Sequence, residues 1–129
     1  MRTFFSFVLF ALLFASPLQA NERPVHYFAI EPPFVVNVLE GPRARHMQVR
    51  MQIMTHDRKV IAKLEEHMPA IRHGLIMLLS GQSGETVRST AGVEQLRLEA
   101  LEVMRETLAE VAGLQDGIEE LYFTDRVVQ

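Results

Sequence analysis

The last thirteen residues, Gly117-Ile-Glu-Glu-Leu-Tyr-Phe-Thr-Asp-Arg-Val-Val-Gln129, constrain the fold more than any other stretch. They are rich in β-branched and aromatic side chains and lack proline. They also follow a helical pattern that stops at Gly113, so they read as a strand of about ten residues. An apolar strand left loose at a terminus frays and invites aggregation. Leu121, Phe123 and Val127 are therefore expected to dock into a sheet built by earlier segments, and the fold closes only once the tail is in place.

The partners for that strand lie near the other end. Val25-His-Tyr-Phe-Ala-Ile30 reads as one strand and Phe34-Val-Val-Asn-Val-Leu39 as a second, separated by Glu31-Pro-Pro33. Proline cannot donate to a ladder, so the two halves are expected to meet at a bend on a sheet edge. After the Gly41-Pro42 turn, Arg45 to Thr55 alternates, with Met47, Val49, Met51 and Ile53 on one face and Gln48, Arg50, Gln52 and Met54 on the other. That period of two is the mark of a half-buried strand.

From Asp57 to Leu79 the period changes. Val60, Ile61, Leu64, Met68, Ile71, Leu75, Leu78 and Leu79 fall on one helical face, with Thr55 or Asp57 placed to cap the start. Pro69 predicts a kink or break near Met68. Ser80-Gly-Gln-Ser-Gly84 reads as a loop and Glu85 to Arg88 as a single turn. A second amphipathic helix follows Thr90 and carries Val93, Leu96, Ala100, Leu101, Met104, Leu108, Val111 and Ala112 on one face, and Gly113 stands where a left-handed cap is wanted. The order strand, strand, strand, helix, helix, strand predicts an α+β fold, a mainly antiparallel sheet covered on one side by two long helices.

The chain's 129 residues suit one domain, and 48% hydrophobic against 22% charged residues argue against disorder. A formal charge of −3 leaves no electrostatic footprint for nucleic acid or an anionic membrane surface. With no cysteine, disulfides and thiolate chemistry are excluded. At the N-terminus, Arg2 precedes an apolar run from Phe4 to Ala15, then Ser16-Pro17 and Ala20. This is the three-part layout of a signal peptide cleaved after Ala20. Its twelve residues fall short of the roughly 20 that a membrane span needs. The alternative is a short signal anchor held in the inner membrane by residues 4–18. Either way residues 21–129 form one domain outside the cytoplasm.

Catalytic chemistry is hard to assemble from this sequence. The five histidines, His26, His46, His56, His67 and His73, include no His-x-x-x-His pair, and they read as surface or capping residues. Gly81-Gln-Ser-Gly-Glu85 approaches a nucleophile elbow, but Glu85 stands where the second glycine belongs and a helix precedes it instead of a strand. The adjacent carboxylates Glu65-Glu66 and Glu119-Glu120 diverge from each other and read as solvated charge. Most of the seven methionines sit at core spacings. No catalytic, cofactor-binding or metal residue is assigned, and the residues describe an exported α+β interaction module that is not an enzyme.

Taken together, several segments resemble the FliL family of flagellar basal body-associated proteins over about residues 27–129. They are Tyr27 with Pro33-Phe-Val-Val-Asn37, Met47-Gln-Val-Arg-Met-Gln-Ile53, Pro69 to Ser80, Ser83 to Arg88, Gln95-Leu-Arg-Leu-Glu99, and the closing Leu121-Tyr-Phe-Thr-Asp-Arg-Val-Val-Gln129. The resemblance implies a periplasmic domain similar to the stomatin/prohibitin type, able to self-associate into rings and to contact flagellar stator and basal-body proteins. It implies a role in supporting stator function, swimming and swarming, and brings no catalytic residue and no cofactor. Members usually carry a basic tail, a full membrane helix and a polar linker ahead of the domain. Here a short signal-like run stands in their place.

Overall fold

The computed structural model describes residues 22–129, so the expected signal peptide or anchor over 1–20 lies outside the described residues. The elements run β1 (His26–Glu40), β2 (Arg43–Thr55), α1 (Arg58–Glu66), α2 (Met68–Leu79), β3 (Gln82–Ser83), α3 (Gly84–Arg88), α4 (Thr90–Ala112) and β4 (Glu120–Val128). The fold is α+β. Its four strands lie in the order β3-β1-β2-β4, with β2 antiparallel to both β1 and β4 and β3 parallel to β1.

The alternation along β2 sets the layers. Met47, Val49, Met51 and Ile53 are fully buried, together with Ile30, Phe34, Val36 and Val38 of β1 and Leu121 of β4. Each belongs to the core that the helices cover, and the residues between them face away. The two strands expected on either side of Pro32-Pro33 are one. Ile30 pairs with Met51 and Phe34 with Val49, so Glu31, Pro32 and Pro33 are absorbed opposite Arg50 as an irregularity, with the Glu31–Pro32 peptide cis. Because two extra residues preserve the period of two, Ile30 and Phe34 still face the same core.

The tail strand docks into the sheet as expected, its partner being β2, but not with all the expected side chains inward. Phe123 pairs with Met51 and Asp125 with Arg50, which leaves Thr124 as an extra residue. A one-residue bulge reverses the faces beyond it. Leu121 is fully buried and Phe123 packs on the core, whereas Val127 turns outward at 41% exposure and Val128 takes the inner position. The end is pinned all the same. His46 N donates to Gln129 O (3.0 Å) and Gln129 N donates to His46 O (2.8 Å).

The expectation of two long helices needs correction. Only α4, at 23 residues, is long. The stripe from Val60 to Leu79 is divided at His67 into α1 of nine and α2 of twelve residues, because Pro69 in the first turn of α2 has no N–H to continue the ladder. Val60, Leu64, Ile71, Leu75 and Leu79 remain buried across the break. Asp57 accepts from Lys59 N and so caps α1. Thr55 instead links two segments: its hydroxyl donates to Gly117 O (2.7 Å) and accepts from Asp57 N (3.1 Å). Gly113 ends α4 at φ 68, as its position predicts. At Gly117 a Cβ would lie 2.4 Å from Val60 Cγ2, so the approach of the β4 segment to α1 requires glycine.

Gln82 and Ser83, read above as part of a loop, form the short strand β3 beside Val38 and Leu39. Two residues carry too little pattern to be seen in the sequence.

Candidate interaction surfaces

The side chains that resembled chemistry have structural employment. The Ser83 hydroxyl accepts from Thr86 N (3.1 Å) and caps α3, and among the described residues no imidazole is hydrogen-bonded to it. His67 occupies the junction of α1 and α2, where its N–H donates to Lys63 O (3.0 Å). Among the described residues, no group of three or more His, Asp or Glu is placed to hold a metal ion. Of the carboxylates read as solvated charge, three are paired. Glu66 accepts from Lys63 Nζ at 2.7 Å, Glu119 from His56, and Glu120 from Arg97.

These pairs concentrate on the β4 side of the molecule. Arg97 of α4 forms an ion pair with Glu94 (2.6 Å), contacts Glu120, and donates to Leu121 O (3.1 Å). The Glu94 hydrogen bond, together with that to Glu120, raises the guanidinium pKa above its ordinary value, while the same bond leads in holding the Glu94 carboxyl below its own. About two turns along, Arg105 Nε donates to Ile118 O (2.9 Å) and Nη2 to Glu119 O (3.1 Å). Glu119 Oε2 in turn receives both His56 N (2.7 Å) and His56 Nδ1 (2.5 Å). The Nδ1 bond leads in lowering the Glu119 pKa, against the opposing effect of burial. α4 thus reaches over the outer side of β4 and caps its carbonyls with arginine.

The β1 side is different. Met54 O accepts from Glu119 N, so the backbone groups of Met54 face β4. Its cross-strand partner Tyr27 therefore directs its own N–H and C=O away from β2, as does Ala29 two residues on. β3 covers only Val38 and Leu39. Among the described residues, no strand pairs with the outer edge of β1 from Tyr27 to Val35. Arg72 reaches it at a single point, where Nη1 donates to Pro32 O (2.6 Å) with the guanidinium stacked 4.2 Å above the Phe34 ring. Beside this edge runs α1. Val25, His26 and Tyr27 on one side and Arg58, Ile61, Ala62 and Glu65 on the other line an open groove of about 630 Å³.

The sheet face opposite the helices is also uncovered, with Val35 at 67% and Leu39 at 61% exposure. Gln48, Arg50 and Gln52 lie among these apolar positions, and Arg50 pairs with Glu31 at 3.2 Å. Sequence reasoning assigned Ile61 to the core stripe and did not find the groove. Its one sequence signal is Tyr27, an aromatic residue placed on the outward face of a strand.

Comparison with known proteins bears on these surfaces. The sequence model of the family described as "Flagellar basal body-associated protein FliL" matches residues 27–129, which takes in all but the first residue of the described elements. The flagellar protein FliL of Aquifex aeolicus (strain VF5) is 26% identical over 102 residues, covering 79% of this chain and 60% of that protein. The chain therefore spans about 60% of the length of the curated relative it matches.

Proposed function

Because the chain belongs to the FliL family of flagellar basal body-associated proteins, we propose that it is a non-enzymatic accessory protein of the flagellar basal body. In this reading it supports stator function and motility, both swimming and swarming, through contacts with stator and basal-body proteins. Side-by-side self-association into a ring, through a domain of the stomatin/prohibitin type as the FliL resemblance implies, is part of the proposal. So is a periplasmic location for residues 21–129, with residues 1–20 removed as a signal peptide or kept as a short inner-membrane anchor.

The observation that carries the reading is the family match across the whole run from Tyr27 to Gln129. The surfaces agree with it, because uncovered edges and faces are the equipment of a binding module. Deleting the protein in a flagellated host and measuring swimming, swarming and motor torque tests the proposal. Reduced torque or swarming is expected, and wild-type motility would overturn the flagellar role.

A second reading is favoured by the N-terminal layout, Arg2 followed by the apolar run and Ala20. It makes the cleaved product a soluble periplasmic binding or chaperone-like module for another envelope complex. N-terminal sequencing of the exported protein separates the two. A chain still starting at Met1 in the membrane fraction supports the anchored accessory protein, and a soluble chain starting near Asn21 supports the second reading.

A further inference from the structure

The two edges of the sheet are treated unequally. An exposed strand edge is a template for pairing, and proteins blunt it with charge, bulges, proline or a covering element. β4 has such protection in the Thr124 bulge, the charges of Asp125 and Arg126, and arginine caps on Ile118, Glu119 and Leu121 O. From Tyr27 to Ile30 β1 has none of these. Among the described residues its outward groups at Tyr27 and Ala29 have no partner, Tyr27 is 57% exposed, and the neighbouring helix offers apolar Ile61 and Ala62. Edge and helix together provide backbone groups for pairing and an apolar floor for alternate side chains.

We propose that this groove is a strand-addition site for an extended segment of a partner protein. The occupant's chemistry is set by charge. Arg58 and Glu65 stand at opposite ends of the α1 wall, and neither has an ion-pair partner among the described residues. Seven residues of helix rise separate them by about 10 Å. An extended chain covers about 13 Å in four residues, and residues four apart share a face. The segment that fits therefore carries an acidic residue towards Arg58, a basic residue four positions away towards Glu65, and midway between them, on the same face, an apolar residue to rest on Ile61 and Ala62. Backbone pairing supplies affinity and strand direction, and the charge order supplies selectivity. This inference goes beyond the flagellar reading and does not depend on it.

The test uses the purified full chain and a blocked pentapeptide probe, Asp-Thr-Val-Thr-Lys, with its charge-swapped counterpart Lys-Thr-Val-Thr-Asp. Amide hydrogen exchange at Tyr27 and Ala29 is expected to slow with the first peptide. Binding of the counterpart is compared on the wild type and on the double variant Arg58→Glu, Glu65→Arg. With the ladder to β1 holding one strand direction, a preference of at least about tenfold for the first peptide is expected in the wild type and its inversion in the double variant. Unchanged exchange in the wild type overturns the proposal, and so does binding indifferent to charge order and to the variant. Amides of Tyr27 and Ala29 that are already protected in the full chain, and become exposed when residues 1–21 are removed, also overturn it, because the groove then belongs to the chain's own leader.

Discussion

The outer sides of β1 and β4 are built from the same kind of strand and end in opposite conditions. Near its start β4 has Leu121 in the core, lies beneath two arginines of α4, and is tied to the end of β2 through the adjoining residues Glu119 and His56. Near its start β1 has Tyr27 in solvent and a helix beside its edge that leaves a groove. Both strands contribute to one core, so apolar content does not distinguish them. What differs is whether the backbone groups on the far side have been given partners. On the β4 side arginines of α4 take the carbonyls of Ile118, Glu119 and Leu121, whereas among the described residues the outward groups of Tyr27 and Ala29 have no partner and can accept hydrogen bonds and donate them. Closure belongs to stability and openness to binding, and the sheet divides these between its two edges.

The largest effect should come from the anchor of the closed side. Leu121→Ala removes a fully buried side chain opposite Ile53 and is expected to cost about 2–5 kcal/mol in urea unfolding. Tyr27→Ala, at the open edge, should stay within about 0.5 kcal/mol. Similar losses for the two would break the contrast between a structural and a free edge.

Next in size is the removal of the cover itself. Arg97→Ala takes away the ion pairs to Glu94 and Glu120 and the bond to Leu121 O. Because these bonds are charge-assisted and half-screened, a loss of about 1–3 kcal/mol is expected. The bared carbonyl and edge should also raise self-association in sedimentation, with Arg97→Lys intermediate because an ammonium cannot hold the forked geometry. A variant as stable and as monodisperse as the parent would show that the arginine is ornament to β4 and not its cover.

Much of this frame was legible in the chain, and the exceptions have physical reasons. The alternation from Met47 to Ile53 placed β2 and its faces, Pro69 placed the break between α1 and α2, and Gly113 placed the end of α4. Periodicity failed where one residue changes a face: Val127 looked inward until Thr124 was seen to be the extra residue. It failed again at Gln82 and Ser83, which are too few to show a period. The pairings of Glu119 and Glu120 were invisible because their partners are 63 and 23 residues away, a matter of tertiary contact alone. The groove was hidden for the same reason. Ile61 has the spacing of a core residue, and only the position of α1 relative to the edge of β1 turns it outward.

The smallest effect tests whether the closed edge depends on ionised carboxylates. Glu119 has its pKa lowered from 4.5, first by the hydrogen bond from His56, and Glu94 is lowered by the hydrogen bond from Arg97. A carboxyl with a folded-state pKa below its unfolded value contributes stability that is complete above the unfolded value. That contribution is lost as pH falls through the folded value. The melting temperature should therefore be flat down to about pH 5 from this source and decline below it, with a shallow slope because these groups are well solvated. Glu119→Gln removes one contributor, so its melting curve should start slightly lower at neutral pH and converge on the parent's in acid. A constant offset between the two at every pH would mean that the contact holds β4 by packing and neutral hydrogen bonding. The closed edge would then be closed by shape, and charge would distinguish it from the β1 edge only at Arg97 and Arg105.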